Sequence, residues 1–329
     1  MAGLRIAEIL LEEKPNKYWE MLREIGVSET VGVLPRGFND WRKVKNQEPW
    51  DFLPLLKYKN MLKENGFKLV AIEDNPPMDK IRLGLDERDY EIENISKMLD
   101  NFGKLGIKLW SYSWNAITGW TRTSTHIKSE YGTVSGFDLQ ELRDVKSHYK
   151  YKIKKEDLWN NLKYFLDKVI PIAENNDIQI CMHPDDPPLN SLMGIPRIMN
   201  SIESFDKLIE LNKSPNNGMT FCQGNFTLMT DNLPAAIKHF GDRIKFVHFR
   251  DVLGNREKFM EVPLGKGKTP LADCIRSYND INFSGIMRVD HVPTLCGDDT
   301  DVPGYSYLGR LYAIGYINGL YDAYKNNIH

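Results

Sequence analysis

The strongest constraint on this chain is a repeating texture. Short apolar runs rich in Val, Ile and Phe recur along its length, separated by longer segments with helical spacing. Eight runs fit, at residues 4–10, 30–34, 68–73, 108–114, 178–183, 219–223, 244–249 and 285–291. Amphipathic stretches lie between them, among others at 50–65, 90–102, 155–174, 201–211 and 233–240. Alternating patterns of this kind bury a parallel sheet beneath helices, and eight units predict a closed (β/α)8 barrel. A chain of 329 residues suits a single barrel domain over 1–329. The first run is the least secure, since residues 4–11 read equally as the first turns of a helix.

Two connections exceed what a barrel needs, 115–154 after the fourth strand and 296–304 after the eighth. Both follow a strand's carboxyl end, where barrel enzymes carry catalytic loops, so both are expected as lids or substrate walls. For the first, a surface excursion or an oligomer contact is an alternative.

The same strands end in polar side chains. Four consecutive runs terminate in His183, Cys222, His248 and Asp290. Neighbouring strand ends of a barrel converge on one mouth, so these residues are predicted to face a common point. Two imidazoles, a thiolate and a carboxylate suit a divalent transition metal such as Mn, Fe, Co or Zn. Each residue alone reads more simply as a structural histidine or a buried thiol. Their succession on adjacent strands favours a site. His126, His148, His239 and His329 fall in loop, helix or terminal contexts and receive no role.

Other groups cluster around this set. Asp185 and Asp186 lie in the turn-forming run His183-Pro-Asp-Asp-Pro-Pro, where either is placed to orient His183. Arg250 and Arg122 are candidates for gripping a substrate carboxylate, with salt bridges to nearby acids, such as Arg250 to Asp251, as the alternative. Glu73 ends the third strand, facing the substrate or carrying a rim charge. His291 follows Asp290 directly, and Tyr305 sits in a Pro-Gly turn before the last helix, within reach of the mouth as an acid or base. The small residues of Gly315-Tyr-Ile-Asn-Gly-Leu are expected to pack that helix closely against the barrel.

Charge and cysteine usage limit the partners. Lys plus Arg number 43 and Asp plus Glu 45, a net charge of -2 with no global pull toward nucleic acid. The Lys-rich patch at 146–155 reads as a solvated approach to a helix. No apolar run is long enough for a bilayer and no signal-peptide pattern opens the sequence, so a cytoplasmic protein without membrane partners is expected. Cys181, Cys222, Cys274 and Cys296 lack disulfide-framework or zinc-knuckle spacing. Reduced thiols are predicted, which leaves Cys222 free to ligate.

From Glu73 onward the chain resembles the D-mannonate dehydratase family of xylose-isomerase-like barrels. The resemblance rests on Trp120-Thr-Arg-Thr, Met182-His-Pro-Asp-Asp-Pro-Pro with Gly194-Ile-Pro-Arg-Ile, Phe221-Cys-Gln-Gly, Val247-His-Phe-Arg, Asp290-His, and Pro303-Gly-Tyr leading to Tyr316-Ile-Asn-Gly-Leu. It implies that His183, Cys222, His248 and Asp290 hold a divalent metal, usually Mn2+, and that His291 and Tyr305 act as acid and base. The implied reaction is metal-dependent dehydration of D-mannonate, by loss of the C2 proton and the C3 hydroxyl, to 2-keto-3-deoxygluconate. The implied partner is a small sugar acid, and a homo-oligomer is expected of such a barrel.

The chain also departs from the family. Val289-Asp-His-Val-Pro stands where Pro-Asp-His-Gly-Arg is usual, Tyr112-Ser-Trp-Asn-Ala stands for Tyr-Asn-Phe-Met-Pro, and a histidine is missing near Met78. These changes bear on the substrate and leave a divergent paralogue acting on a related sugar acid open. The residues also leave open a metal-dependent isomerase, epimerase or lyase on the same scaffold, and a sugar-acid-binding protein without turnover.

Overall fold

The computed structural model describes residues 4–38, 47–145, 152–298 and 302–326. The strands in chain order begin with β1 (Ala7–Ile9), β2 (Glu29–Gly32), β3 (Lys68–Glu73) and β4 (Leu109–Ser113). Next come β5 (Ser124–Ser129), β6 (Gly132–Asp138), β7 (Gln179–His183), and the two short strands β8 (Ser191–Leu192) and β9 (Ile195–Pro196). The series ends with β10 (Asn217–Cys222), β11 (Ile244–Phe249), β12 (Asp251–Asn255), β13 (Lys258–Val262) and β14 (Ile286–Val289).

Eight of these form one parallel sheet in the order β1-β2-β3-β4-β7-β10-β11-β14. A parallel bridge from Ile6 to Met287 brings its two edges together, as a (β/α)8 barrel requires. All eight sequence runs fall on these strands, with bounds shifted by a few residues. The doubtful first run is a strand.

Alternation along each strand divides the core into two layers. Ala7, Ile9, Val31, Ala71, Leu109, Cys181, Phe246 and Ile286 fill the inside of the barrel. Ile72, Trp110, Ile180, Val247 and Met287 face the surrounding helices. The helix Lys155–Asn175 shows why a helix forms there. Leu158, Leu162, Phe165, Leu166, Val169 and Ile170 recur every three or four residues as one buried stripe. Each contributes about 1.5–3 kcal/mol by leaving water.

The connection after β4 is not a free lid. Its described part folds into the β5–β6 hairpin, which pairs antiparallel with a second hairpin, β12–β13, inserted after β11. The resulting sheet, in the order β12-β13-β6-β5, has its own small core that includes Phe137, Val252, Leu192 and Phe259. An antiparallel bridge between Thr133 and Thr294 ties it to the loop after β14. The Lys-rich patch falls mostly outside the described residues, as do His148, His329 and part of the 296–304 connection.

The last helix, Tyr307–Asn326, corrects one expectation. Ala313, Ile314 and Ile317 face the core, whereas Gly315 and Gly319 are exposed on the opposite side. Its packing stripe is therefore β-branched and aliphatic rather than glycine-lined. Among the described residues no helix is long and apolar enough to cross a membrane.

Candidate active site

Strand register builds the site. Cys222 pairs with His248 across β10 and β11, and His248 with Arg288 across β11 and β14, so three polar side chains share one row at the strands' carboxyl ends. His183 ends β7 one strand away, and Asp290 follows β14 on the same side as Arg288, two residues on. One atom each of His183, Cys222 and His248 lie within 4.8 Å of one another. His183 Nε2 is 3.3 Å from His248 Nδ1, Cys222 Sγ is 3.4 Å from Asp290 Oδ2, and His248 Nδ1 is 3.8 Å from that same oxygen.

This donor set fits a divalent cation. Metal–ligand bonds of about 2.0–2.3 Å place neighbouring donors roughly 3–4 Å apart, and the His183–His248, Cys222–Asp290 and His248–Asp290 pairs have that spacing. Burial works against charge on Asp290, but His291, Arg288, His248 and Arg250 outweigh it and hold the carboxyl well below its usual range. A carboxylate that stays ionised is what ligation needs. All four residues read from the strand ends as ligands are thus brought together.

A cavity of about 420 Å³ opens beside this cluster. Glu73, Ser111, Asn115, Arg288, His291 and Tyr305 are among its walls. Arg288 grips Glu73 with two hydrogen bonds of 2.8 Å, and Glu73 Oε2 lies 3.2 Å from His248 Nε2. Burial pushes Glu73 up, yet Arg288 and His248 hold it below the ordinary carboxylate range. Asn115 Oδ1, on the same cavity, is buried with no hydrogen-bond partner among the described residues. Tyr305 packs edge-on against His291 with ring centroids 5.2 Å apart. Burial drives its phenol above its usual value, so it keeps its proton at neutral pH. Gly304, at φ +82°, makes that packing possible, since a Cβ there would lie 2.8 Å from His291 Cδ2.

A second charged group lies behind His291. Arg122 makes a two-pronged contact with Asp186 at 2.7 and 2.8 Å, and Arg250 Nη1 donates to the same carboxylate at 2.8 Å. Both arginines also reach Glu261 Oε1, at 2.6 and 2.7 Å. His291 Nδ1 is 2.7 Å from that oxygen, and Ser135 Oγ donates to Oε2. Gly224 leaves the room that Arg250 needs, because a Cβ there would meet Arg250 Cδ at 2.7 Å.

Several expectations change as a result. Arg122 and Arg250 have side chains that are 0% exposed and are paired with acids, so neither presents a free fork to the cavity. Their shared partners are Asp186 and Glu261, and Arg250 Nη1 also donates to Asn225 Oδ1 at 2.8 Å and lies 3.6 Å from Asp290 Oδ2. Asp251 instead accepts the N–H groups of Gly265, Gly267 and Thr269 and shapes a turn. Neither Asp185 nor Asp186 orients His183, whose Nδ1 lies 2.7 Å from the Pro184 carbonyl oxygen; Asp185 accepts the Met199 N–H. Glu73 does face the cavity.

Arg288 and Glu261 escaped the sequence reading. The signal for Arg288 was present as a charge inside an apolar run, two residues before Asp290 and so on its face. Glu261 left no such signal. It sits in a hairpin whose partner, β6, is more than a hundred residues earlier in the chain.

Comparison with known proteins agrees with this geometry. The D-mannonate dehydratase (UxuA) family matches over residues 19–148 and 133–329. The mannonate dehydratase of Oceanobacillus iheyensis is 36% identical over 298 residues, covering 82% of this chain and 84% of that protein. That of Thermotoga maritima is 32% identical, covering 92% and 93%. The crystal structure of mannonate dehydratase from Streptococcus suis serotype 2 superposes with a TM-score of 0.88 at 28% identity, covering 98% of this chain and 95% of that one.

Proposed function

The chain belongs to the D-mannonate dehydratase family, and on that premise we propose how its residues divide the dehydration of D-mannonate to 2-keto-3-deoxy-D-gluconate. The enzyme is a hydro-lyase that acts on a sugar acid. The observation that carries the reading is the meeting of His183, Cys222, His248 and Asp290 beside a cavity whose walls include His183, Asp290, His291 and Tyr305.

Those four residues would hold a divalent ion, for which Mn2+ is our choice; when bound, it draws charge from substrate oxygens and acidifies the C2 proton. The protein's own groups do the rest. Removing H from C2 and OH from C3 expels one water and leaves an enol that ketonises at C2. His291 and Tyr305 face the same cavity and supply the base and acid for those two transfers. A phenol that keeps its proton at neutral pH suits the donor.

Arg288 is the arginine on the cavity wall, a fixed positive charge toward the substrate's acidic end. Its hydrogens are engaged by Glu73 and Asp290, so it acts by field rather than by a free two-pronged grip. Asn115 Oδ1 accepts a substrate hydroxyl, which would satisfy an otherwise unpaired buried oxygen. Arg122 and Arg250 serve the substrate only through the carboxylates that they hold. The whole chain works as one domain, supported by the continuous outer core. The free thiols suit a reducing, cytoplasmic compartment.

The test is turnover of D-mannonate by protein loaded with Mn2+, with 2-keto-3-deoxygluconate as the measured product and His291→Asn as control. Product that vanishes in the control is expected. Bound metal without keto-deoxy product would end the mannonate reading and move the search to other sugar acids.

A further inference from the structure

We infer that Glu261 is a positioning residue for His291: it holds the imidazole with its proton on Nδ1 and leaves Nε2 as the nitrogen that faces the substrate. The inference rests on the proposed role of His291 in proton transfer. It assigns a part in the site to a residue from outside the barrel.

Donors and acceptors decide the tautomer. Glu261 Oε1 lies within 2.7 Å of Arg122 Nη2, Arg250 Nη2 and His291 Nδ1. The Ser135 hydroxyl takes the other oxygen. Two guanidiniums at contact distance keep this carboxylate charged, and a charged carboxylate only accepts hydrogen bonds. The imidazole must therefore donate from Nδ1. In a neutral ring, the lone pair is then on Nε2. That nitrogen is 3.8 Å from Asp290 Oδ1, on the side of the proposed ligands and the cavity. Trp120, with its ring centroid 5.3 Å from that of His291, and Tyr305 at 5.2 Å restrain the ring from two further directions.

The same cluster has another reading, which its charges exclude. Asp186, Glu261 and His291 are spaced closely enough to suggest a second cation site. Arg122 and Arg250 already contact both carboxylates, so the positive charge such a site would supply is in place. The cluster orients a ring; it does not bind an ion.

The scaffold for this contact is the accessory sheet. Glu261 lies on β13 and Ser135 on β6, and the two strands pair with Met260 opposite Gly136. The connections after β4 and β11 therefore meet in order to deliver one carboxylate behind one histidine. A Cβ on Gly136 would lie 2.6 Å from Ile127 Cδ1 and 3.0 Å from the Phe259 carbonyl oxygen, so a larger residue there wedges β6 from β13 without touching the cavity.

The experiment is NMR of 15N-histidine-labelled protein loaded with diamagnetic Zn2+, beside steady-state kinetics of the Mn2+ enzyme. The expected spectrum has a downfield imidazole proton on Nδ1 that is absent from His291→Asn. In Glu261→Gln that resonance moves upfield, and kcat falls about tenfold to a hundredfold while KM and metal content stay near wild type. Gly136→Val lowers kcat in the same direction. A wild-type His291 with its proton on Nε2 and a bare Nδ1 overturns the inference, even if Glu261→Gln does not fold. So does Glu261→Gln with unchanged kcat, or with a change in KM alone. If His291→Asn keeps full activity, the role of His291 fails; if it is inactive while Glu261→Gln turns over normally, only the role of Glu261 fails.

Discussion

Two polar clusters flank His291 and differ in what they are made of. Behind it, Asp186 and Glu261 face Arg122 and Arg250, two negative groups against two positive, at contact distance and without exposure. In front, His183, Cys222, His248 and Asp290 crowd donor atoms 3.3–3.8 Å apart with Arg288 and Glu73 beside them. In the rear cluster each carboxylate meets both guanidiniums. The front one gathers imidazole, thiol and carboxylate donors, with Arg288 and Arg250 approaching Asp290 at 3.2 and 3.6 Å. Burial alone therefore does not mark a functional site, since both clusters are buried. What separates them is chemistry: carboxylates matched to guanidiniums behind, and a mixed nitrogen, sulfur and oxygen donor set of the kind that suits a transition metal in front.

If the rear cluster is a closed structural unit, breaking its charge balance should cost stability before anything else. Asp186→Asn removes one of the two carboxylates that Arg122 and Arg250 share and leaves Glu261 as the other. The expected loss is roughly 3–5 kcal/mol, typical for breaking a buried pair from one side. It should appear as a lower denaturant midpoint with Zn2+ or Mn2+ stoichiometry retained. A variant that loses metal without losing stability would merge the two clusters into one.

The front cluster should respond in the opposite sense. His248→Ala takes one donor from the set and is expected to abolish stoichiometric metal and to cut turnover by about 10²–10³ or more. Metal-free stability should change far less than in Asp186→Asn. Metal analysis and urea melts on the same preparations separate the two outcomes. Unchanged metal content would remove His248 from the ligand set.

This contrast explains what the sequence could and could not reveal. The convergence of His183, Cys222, His248 and Asp290 was legible because a barrel converts sequence position into spatial convergence: an apolar run that ends in His or Cys ends at the mouth. The long helices were legible for a similar reason, since a stripe such as Leu158, Leu162, Phe165 and Val169 carries its own period. Ion pairing has no such period. Arg250 has Asp251 as its chain neighbour and Asp186 and Glu261 as its partners, and only the packing of the loop after β7 and the fold-back of the β12–β13 hairpin decide between them. The 115–154 connection was recognisable as long, but its length alone did not say that it would supply half of a second sheet.

Acid should also tell the clusters apart. Burial raises Asp186 and Glu261, but Arg122 and Arg250, joined by His291, overcome that and hold both below the ordinary carboxylate range. In the unfolded chain the same groups take up protons near pH 4. Between those values the unfolded state binds more protons, so the stabilisation is present in full above about pH 5 and is lost as pH falls through the folded values. Urea midpoints between pH 6 and 3 should fall steeply for the wild type and less steeply for Asp186→Asn. Below pH 4 the two slopes should differ by about 1.4 kcal/mol per pH, the linkage of one proton. Equal slopes would place the acid sensitivity in Glu73 and Asp290 instead.

The gentlest probe is Ser135→Ala, which leaves every charge in place. It removes the hydroxyl that donates to Glu261 Oε2, while Oε1 keeps Arg122, Arg250 and His291. One hydrogen bond to a charged acceptor is lost, and the expected cost is about 1.5 kcal/mol. Turnover should fall less than in Glu261→Gln, because the carboxylate stays charged and still faces Nδ1. The ranking matters more than the value. Charge balance is what makes the rear cluster closed, so a neutral deletion must cost less than Asp186→Asn in the same melt. If Ser135→Ala matches that loss, the hydroxyl and the β6–β13 pairing hold the cluster together. The arginines would then count as cations awaiting a ligand, much as the donors in front await a metal.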